Sequence, residues 1–169
     1  MKNILYLCQT INGYIANEND STPWSKEEFA AFHSAIINAK NIIVGRRTYQ
    51  IMEKYGEFKK CGNPFTVIVT KSPKFKSRSK SVVANSPSAA IKILKSEGFK
   101  VAFMSGGSKV ATSFIQQGLI DEIWIDIEPL VLGNGIPTFQ VSKLKVKLRM
   151  IMTKRISKNT IQLRYKVLK

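Results

Sequence analysis

Two short glycine-containing stretches carry residues that could bind phosphate. Gly106-Gly107-Ser108-Lys109 follows the run VAFMS, and Gly45-Arg46-Arg47-Thr48 follows the run IIV. Glycine lets a backbone approach a ligand closely, and the free amides at the start of a helix favour an anion. Arginine adds a planar guanidinium that pairs with phosphate through two hydrogen bonds. Together the stretches predict a site for an extended ligand with more than one phosphate, such as NADP.

Each stretch alone is weaker evidence for a phosphate site than the two stretches together. The first lacks the full GxGxxG fingerprint, and an ordinary tight turn would explain it equally well. Thr70-Lys71 follows a third apolar run and could add a hydroxyl and a cation to the same ligand. A solvated loop lysine accounts for Lys71 just as well. The prediction therefore rests on the two arginines of the second stretch.

Glu28 is the candidate for proton chemistry, because it lies on a predicted helix whose other face is apolar. A carboxyl group there could hold or polarise the substrate atom that receives a proton. Two alternatives stay open. Glu28 could complete a capping box with Ser25, since Ser-x-x-Glu before an apolar run is that motif. The adjacent Glu27 could be the participant if the helix register slips by one residue.

Alternating strand and helix patterns must position these residues. Strands are predicted at residues 2–8, 41–44, 65–70, 100–104, 122–128, 146–154 and 160–167, and helices at 26–39, 48–54, 89–96 and 109–117, with Ser86 or Ser88 opening the third helix and Ser108 the fourth. The alternation predicts an α/β fold, a mostly parallel mixed sheet between two helical layers, with a C-terminal antiparallel hairpin. The length suits a single domain over residues 1–169. Ligands collect beyond the carboxyl ends of such strands, where both glycine stretches fall.

The order of the motifs resembles the dihydrofolate-reductase fold family. The closest likeness is to its riboflavin-biosynthesis reductase subgroup, the C-terminal domain of the bacterial bifunctional deaminase-reductase. The segments that carry it are QTINGYIA, PW, IIVGRRTY and FMSGGSKVATSFIQQGLIDEIWIDIEPLVLGNGIPTF, and the likeness as a whole covers residues 4 to about 139. The resemblance implies a sheet of about eight strands and NADPH as the hydride donor.

The resemblance also implies roles for individual residues. The coenzyme would contact Ile15, Gly45, Arg46, Arg47, Thr48, Thr70, Lys71, Gly106, Gly107, Ser108 and Lys109. The substrate would lie near Asn12, Trp24, Glu28 and Phe32, with Glu28 where dihydrofolate reductases carry the acid that binds the pterin ring. Asn12 stands where the subgroup usually carries aspartate. This difference removes a negative charge at the entrance to the substrate site and leaves the identity of the substrate undetermined.

We therefore predict an NADPH-dependent reductase that delivers hydride to a C=N or C=O carbon of a small heterocyclic or sugar-like substrate. Two alternatives remain: a true dihydrofolate reductase, and a non-catalytic binder of polyanions or nucleic acid on the same fold. The resemblance further implies a homodimer. Two cysteines are too few for a zinc site or a disulfide framework, and Cys8 is predicted to be a buried small residue.

The net charge of +16 would attract anions of many kinds. However, Lys143, Lys145, Lys147 and Arg149 alternate with apolar residues, which predicts the solvated face of a half-buried strand. Basic residues are spread over several predicted strands without interleaved aromatics, so nucleic-acid binding is disfavoured. No apolar run approaches the roughly 20 residues that cross a bilayer, which favours a cytoplasmic protein without a membrane partner.

Overall fold

The computed structural model describes residues 1–77, 81–141 and 143–169. Along the described chain the elements are β1 (Lys2–Thr10), β2 (Tyr14–Ala16), α1 (Lys26–Ala39), β3 (Asn41–Gly45), α2 (Arg46–Lys54), α3 (Glu57–Lys60), β4 (Phe65–Val69), β5 (Ser81–Ala84), α4 (Pro87–Ser96), β6 (Val101–Met104), α5 (Ser108–Gln116), β7 (Glu122–Glu128), β8 (Ile136–Pro137), β9 (Lys147–Arg155) and β10 (Ile161–Leu168).

Eight of the described strands form one sheet in the order β5-β4-β3-β6-β1-β7-β10-β9. The pairs from β5 across to β7 are parallel, whereas β10 runs antiparallel to both β7 and β9. A separate two-stranded sheet joins β2 to β8. The predicted α/β class, mostly parallel mixed sheet and closing hairpin are confirmed.

Two apolar cores lie on opposite faces of this sheet, which makes three layers. Ile4 and Tyr6 of β1 belong to the core that includes residues of α1 and α2, whereas Leu5 and Leu7 belong to the core with α4 and α5. This alternation follows from the two-residue period of a strand. Each fully buried aliphatic side chain stabilises the fold by about 1.5–3 kcal/mol. The same alternation directs the later even-numbered residues of β1 toward α1.

Asn41 strengthens the junction between β3 and β6, the strands that precede the two glycine stretches. It is fully buried. Its Nδ2 donates to the carbonyl oxygens of Ala39 and Val101, both at 2.8 Å, and its Oδ1 accepts from the Phe103 amide at 3.1 Å. The backbone pairing of β3 with β6 is short, and these bonds supplement it. They also give hydrogen-bond partners to the Asn41 side chain, whose polar groups would be costly to bury without them.

Two helices begin two residues earlier than the sequence predicted. Helix α2 begins at Arg46 rather than residue 48, because Gly45 is extended and serves as its N-cap. Helix α4 begins at Pro87 rather than residue 89. Ser86, not Ser88, caps it, and proline at the first helical position already has a helical φ. Strand ends differ from prediction by at most two residues, and α3, β2, β5 and β8 were not predicted because each has four residues or fewer.

The prediction of a half-buried C-terminal strand is wrong for β9, although Leu144 and Val146, which precede it, are half-buried against a core. Strand β9 begins at Lys147, so residues 143–146 precede it, and all nine of its residues are exposed. It lies at the outer edge of the sheet, and none of its residues belongs to either core. Sequence alternation alone could not show that no layer covers this strand.

Within the described residues, no helix combines the length and the apolar character needed to cross a bilayer.

Candidate active site

The carboxyl ends of three neighbouring strands bring the predicted coenzyme residues to one edge of the sheet. Strands β4, β3 and β6 are adjacent and parallel, so the segments that follow them leave the sheet on the same side. Residues 45–48 end β3 and open α2, residues 70–71 follow β4, and residues 106–109 lead from β6 into α5. Their binding roles stay predictions.

A direct hydrogen bond joins the two glycine stretches. The Gly107 amide donates to Thr48 Oγ1 at 3.1 Å. A Cβ on Gly106 would lie 3.2 Å from Thr48 Cγ2, and one on Gly107 would lie 3.3 Å from Thr48 Oγ1. Gly106 also has a φ of +74°, a conformation that other residues adopt at a cost. Because Gly106 and Gly107 have no side chains, the Thr48 side chain fits against them. The Gly107 amide already has a hydrogen-bond acceptor, Thr48 Oγ1.

Two helix N-termini meet at this junction. Helix α2 begins at Arg46 and helix α5 begins at Ser108, whereas the sequence had assigned Ser108 as the cap. The first amides of a helix have no acceptor within it, so both ends favour an anion. The side chains of Arg46 and Lys109 are exposed beside them. Amides, a guanidinium and an ammonium group beside a closed glycine turn are groups that bind phosphate.

The other predicted coenzyme residues differ in how freely they could bind. Arg47 pairs with Asp20, its Nε 2.7 Å from Oδ2, which ties α2 to the loop after β2. Ser108 is buried, and its Oγ accepts from Gln140 Nε2 at 2.8 Å. Thr70 Oγ1 accepts from the amide of Ser72. By contrast, Lys71 is exposed, and Ile15 is half-buried within β2.

On the substrate side, Asn12 holds a loop. Its Nδ2 donates to the Leu132 carbonyl at 2.6 Å, and its Oδ1 accepts from the Leu132 amide at 3.2 Å. Aspartate has no N–H and could not make both bonds. Phe32 stacks on Tyr6 with 5.7 Å between ring centroids, as part of the core under α1, and Trp24 is half-buried.

Glu28 is buried in the first turn of α1, whereas Glu27 is exposed, so the register places Glu28 toward the sheet. Ser25 caps this helix as predicted, and its Oγ accepts from the Glu28 amide at 3.2 Å. The return bond of a capping box does not form. Instead, the Ser25 amide donates to Glu128 Oε2 at 3.2 Å, which leaves the Glu28 carboxyl group available for other contacts.

Three carboxyl groups converge beneath the start of α1. The register of β1 with β7 sets Cys8 beside Asp126 and Thr10 beside Glu128. Asp126 and Glu128 are both buried. Cys8, predicted to be buried, is half-buried and hydrogen-bonds Glu28. This buried cluster is therefore acidic although the protein as a whole is strongly basic.

Each neighbouring carboxylate is held by neutral donors. Tyr6 Oη donates to Asp126 Oδ2, and Gln162 Nε2 donates to Asp126 Oδ1 at 2.7 Å. Glu128 Oε1 accepts from Ser25 Oγ at 2.9 Å and from Thr160 Oγ1 at 2.8 Å. Hydrogen bonds of this kind favour the charged form of a carboxyl group.

Burial and the charges of Asp126 and Glu128 raise the pKa of Glu28 to about 8, against a smaller lowering by Cys8. Burial also raises the pKa of Asp126, to about 6, although the bonds from Tyr6 and Gln162 lower it. Burial and the same carboxylates raise the pKa of the Cys8 thiol far above its usual range. Near neutral pH, Glu28 therefore retains its proton while Asp126 is largely ionised.

We expect Glu28 to lower stability as pH rises. Between pH about 5 and about 8 the unfolded chain loses the Glu28 proton and the folded chain keeps it, so unfolding becomes easier. Glu28→Gln stays neutral throughout. Relative to that of wild type, its free energy of unfolding should therefore rise by about 2–4 kcal/mol between pH about 5 and about 8. Urea unfolding at several pH values measures the gain. Glu27→Gln, an exposed control, should follow wild type, and parallel curves for Glu28→Gln and wild type would contradict the assignment.

With this geometry established, comparison with known proteins identifies the family. The model of the RibD C-terminal domain matches residues 2–162. The chain belongs to the RibD C-terminal domain family.

This RibD C-terminal domain resembles YyaP of Bacillus subtilis (strain 168), an uncharacterized protein, with 27% identity over 176 residues that cover 96% of this chain and 93% of YyaP. A putative riboflavin biosynthesis protein from Shewanella sp. PV-4 has a similar structure, with a TM-score of 0.83, 19% identity and 100% of both chains covered. A Thermotoga maritima diaminohydroxyphosphoribosylaminopyrimidine deaminase/5-amino-6-(5-phosphoribosylamino)uracil reductase matches with a TM-score of 0.74 and 15% identity over 99% of this chain and 56% of its own. The predicted dihydrofolate-reductase-like fold and riboflavin-reductase subgroup are confirmed. Family and fold together support a reductase-like function related to riboflavin biosynthesis.

Sequence reasoning missed the two carboxylates of β7 in this RibD C-terminal domain. A signal was present in WIDIEP, where Trp124, Asp126 and Glu128 alternate with isoleucines. Alternation predicts one polar and one apolar face. It does not reveal that the polar face is buried against α1, because that depends on the neighbouring strands and on which helix covers them.

Proposed function

We propose that this protein is an NADPH-dependent reductase acting on a C=N or C=O carbon of a small heterocyclic or sugar-like substrate, of the kind reduced in riboflavin biosynthesis. One observation carries the proposal. A buried carboxyl group that keeps its proton at neutral pH, Glu28, lies above the carboxyl ends of β1 and β7. The turns that fit phosphate lie at the same edge, after β3 and β6.

The chain's own residues would divide the work. Arg46, Lys109 and the first amides of α2 and α5 would hold the coenzyme phosphates, while Thr48 keeps the two turns together. Ile15 would line the nicotinamide side. When bound, NADPH supplies the hydride.

Glu28 would supply the proton. As the substrate carbon gains hydride, the Glu28 carboxyl group donates its proton to the attached nitrogen or oxygen and becomes a carboxylate, which solvent then reprotonates. A donor is most effective when its pKa lies near the working pH. Asp126 and Glu128 would keep the Glu28 pKa high.

Coenzyme binding tests the proposal directly. We expect NADPH to quench tryptophan fluorescence with a Kd in the micromolar range, and Arg46→Ala to weaken binding about tenfold through the loss of a charge-assisted contact. Lys54→Ala removes an exposed cation from the last turn of the same helix and should leave binding unchanged. A folded protein that ignores millimolar NADPH would rule out the reductase.

A homodimer forms the other part of this proposal. Met150, Ile151 and Met152 on the edge strand β9 are 54%, 45% and 48% exposed, an apolar patch on a basic strand. The strand pairing skips Ile151, and such a bulge opposes edge-to-edge pairing, so a second copy would pack against the side-chain patch.

The dimer should strengthen with salt, since two copies with a charge of +16 repel each other. Light scattering at about 0.05 M and about 0.5 M NaCl measures this. Ile151→Lys should give a monomer at both concentrations. Val141→Lys, at an exposed apolar residue elsewhere, should still dimerise. A monomeric wild type at high salt would refute the dimer without affecting the reductase.

A further inference from the structure

A cavity lies apart from the coenzyme edge. Its volume is about 560 Å³, and residues of α1, β7, β9 and β10 line it. Ile4 and Val101, near the starts of β1 and β6, also line it, so it lies toward the opposite end of the parallel strands from the glycine turns. A cavity of this size suits a small organic molecule.

The cavity exists because α1 presents small side chains there. Ala31, Ala35 and Ala39 recur every four residues along one face of the helix and line the space. Phe103 and Trp124 line it from the sheet side. Alanines opposite aromatic rings leave room for a planar or apolar group.

The charged residues of the lining are all basic. They are Lys100, Lys154 and Arg164, with no aspartate or glutamate among the lining residues. The two lysines are exposed and can turn toward a ligand, whereas Arg164 is half-buried. The cavity therefore attracts anions rather than cations.

Arg164 is held in place without a direct ion pair among the described residues. Its guanidinium lies 3.5 Å from the centre of the Trp124 ring, and its Nε donates to Gln162 Oε1 at 2.6 Å. In the described part of the chain it forms no ion pair. The charges of Glu122 and Asp126 act on Arg164, but both carboxylates are bonded to other groups. Glu122 is bonded to Lys2 Nζ at 2.7 Å and to Trp124 Nε1 at 3.0 Å, and Asp126 accepts from Tyr6 and Gln162. A partly desolvated, oriented guanidinium with no carboxylate in direct contact is placed to pair with an anion.

We propose that this cavity binds a small organic anion. Arg164 and Lys154 hold its phosphate or carboxylate group, and a planar or apolar body packs between Trp124 and the alanines of α1. The site is separate from the coenzyme edge, and it does not depend on the proposed reductase activity.

Phenyl phosphate is a suitable test ligand, because it combines an anionic group with a flat ring. In a Trp24→Phe variant, Trp124 is the remaining tryptophan of the two, so its fluorescence and indole N–H resonance report on the cavity alone. We expect saturable binding in the range of about 0.1–1 mM. Benzoate in a parallel titration distinguishes carboxylate from phosphate recognition, and phenol, which lacks the anion, should bind at least about tenfold more weakly.

Matched variants locate the site. Arg164→Gln should weaken phenyl phosphate binding at least about tenfold, whereas Lys166→Gln removes an equal charge from the same strand outside the cavity and should not. Ala35→Leu should abolish binding by filling the space without changing charge. Arg46→Ala at the coenzyme edge should bind as wild type does.

A Trp124 signal that never saturates would overturn the proposal. Equal losses in Arg164→Gln and Lys166→Gln would overturn it too, since they would reveal only non-specific attraction to a basic surface. Neither result would bear on NADPH binding, which is measured separately with Arg46→Ala.

Discussion

Replacing Glu28 by glutamine is expected to slow substrate reduction by about 10²–10⁴-fold while NADPH binding stays within about twofold of wild type. Glutamine keeps the shape and burial of the side chain but has no acidic proton to donate. Glu27→Gln is the control, because that neighbour is exposed and should keep wild-type activity. The rate is followed by NADPH oxidation with 5-amino-6-(5-phosphoribosylamino)uracil, the substrate in the name of the Thermotoga relative, and with dihydrofolate in parallel.

The pH dependence separates proton donation from a merely structural role. A donor acts only while protonated, so the wild-type rate should fall as pH rises through about 8, the pKa of Glu28. The residual rate of Glu28→Gln should lack this fall. If Glu28→Gln retains the wild-type rate and pH profile, another group supplies the proton. If neither compound is reduced although NADPH binds, the substrate class is wrong and the coenzyme site stands.

The sequence predicted elements best where local signals agreed with burial. Helix α1 has the predicted bounds because Ser25 caps it and its apolar stripe faces a core. Strand β7 also has the predicted bounds, yet its two carboxylates went unnoticed. Local periodicity defines an element, but the surroundings of each face depend on residues more than 100 positions away, such as Ser25 beside Glu128.

The same limit explains the alternatives that the sequence left open at Glu28. The motif Ser-x-x-Glu fits both a capping box and a pocket carboxyl group. Only the tertiary contact decides, since Glu128 takes the Ser25 amide that a capping box would give to Glu28. The position of Asn12 is similar, because the bonds that hold its side chain reach residue 132.

The glycine turn supports the second large prediction, that Gly106→Ala weakens NADPH binding by about 10–100-fold. The added methyl would lie 3.2 Å from Thr48 Cγ2, at a residue whose φ is +74°. The turn would have to separate from Thr48, which moves the first amides of α5 away from Arg46 and α2. Isothermal titration with NADPH measures the loss, and urea unfolding confirms that the variant is folded.

Two further variants separate this steric effect from backbone strain. Gly98 has a φ of +81° but no atom within 4 Å of an added Cβ, so Gly98→Ala shares the strain and should bind NADPH as wild type does. Thr48→Ser removes the crowding methyl and keeps the hydroxyl that accepts from Gly107. Combined with Gly106→Ala, it should restore binding at least about fivefold, which only relief of the clash explains. Equal losses at Gly98 and Gly106, or no recovery in the double variant, would show that contact between the two turns does not shape the coenzyme site.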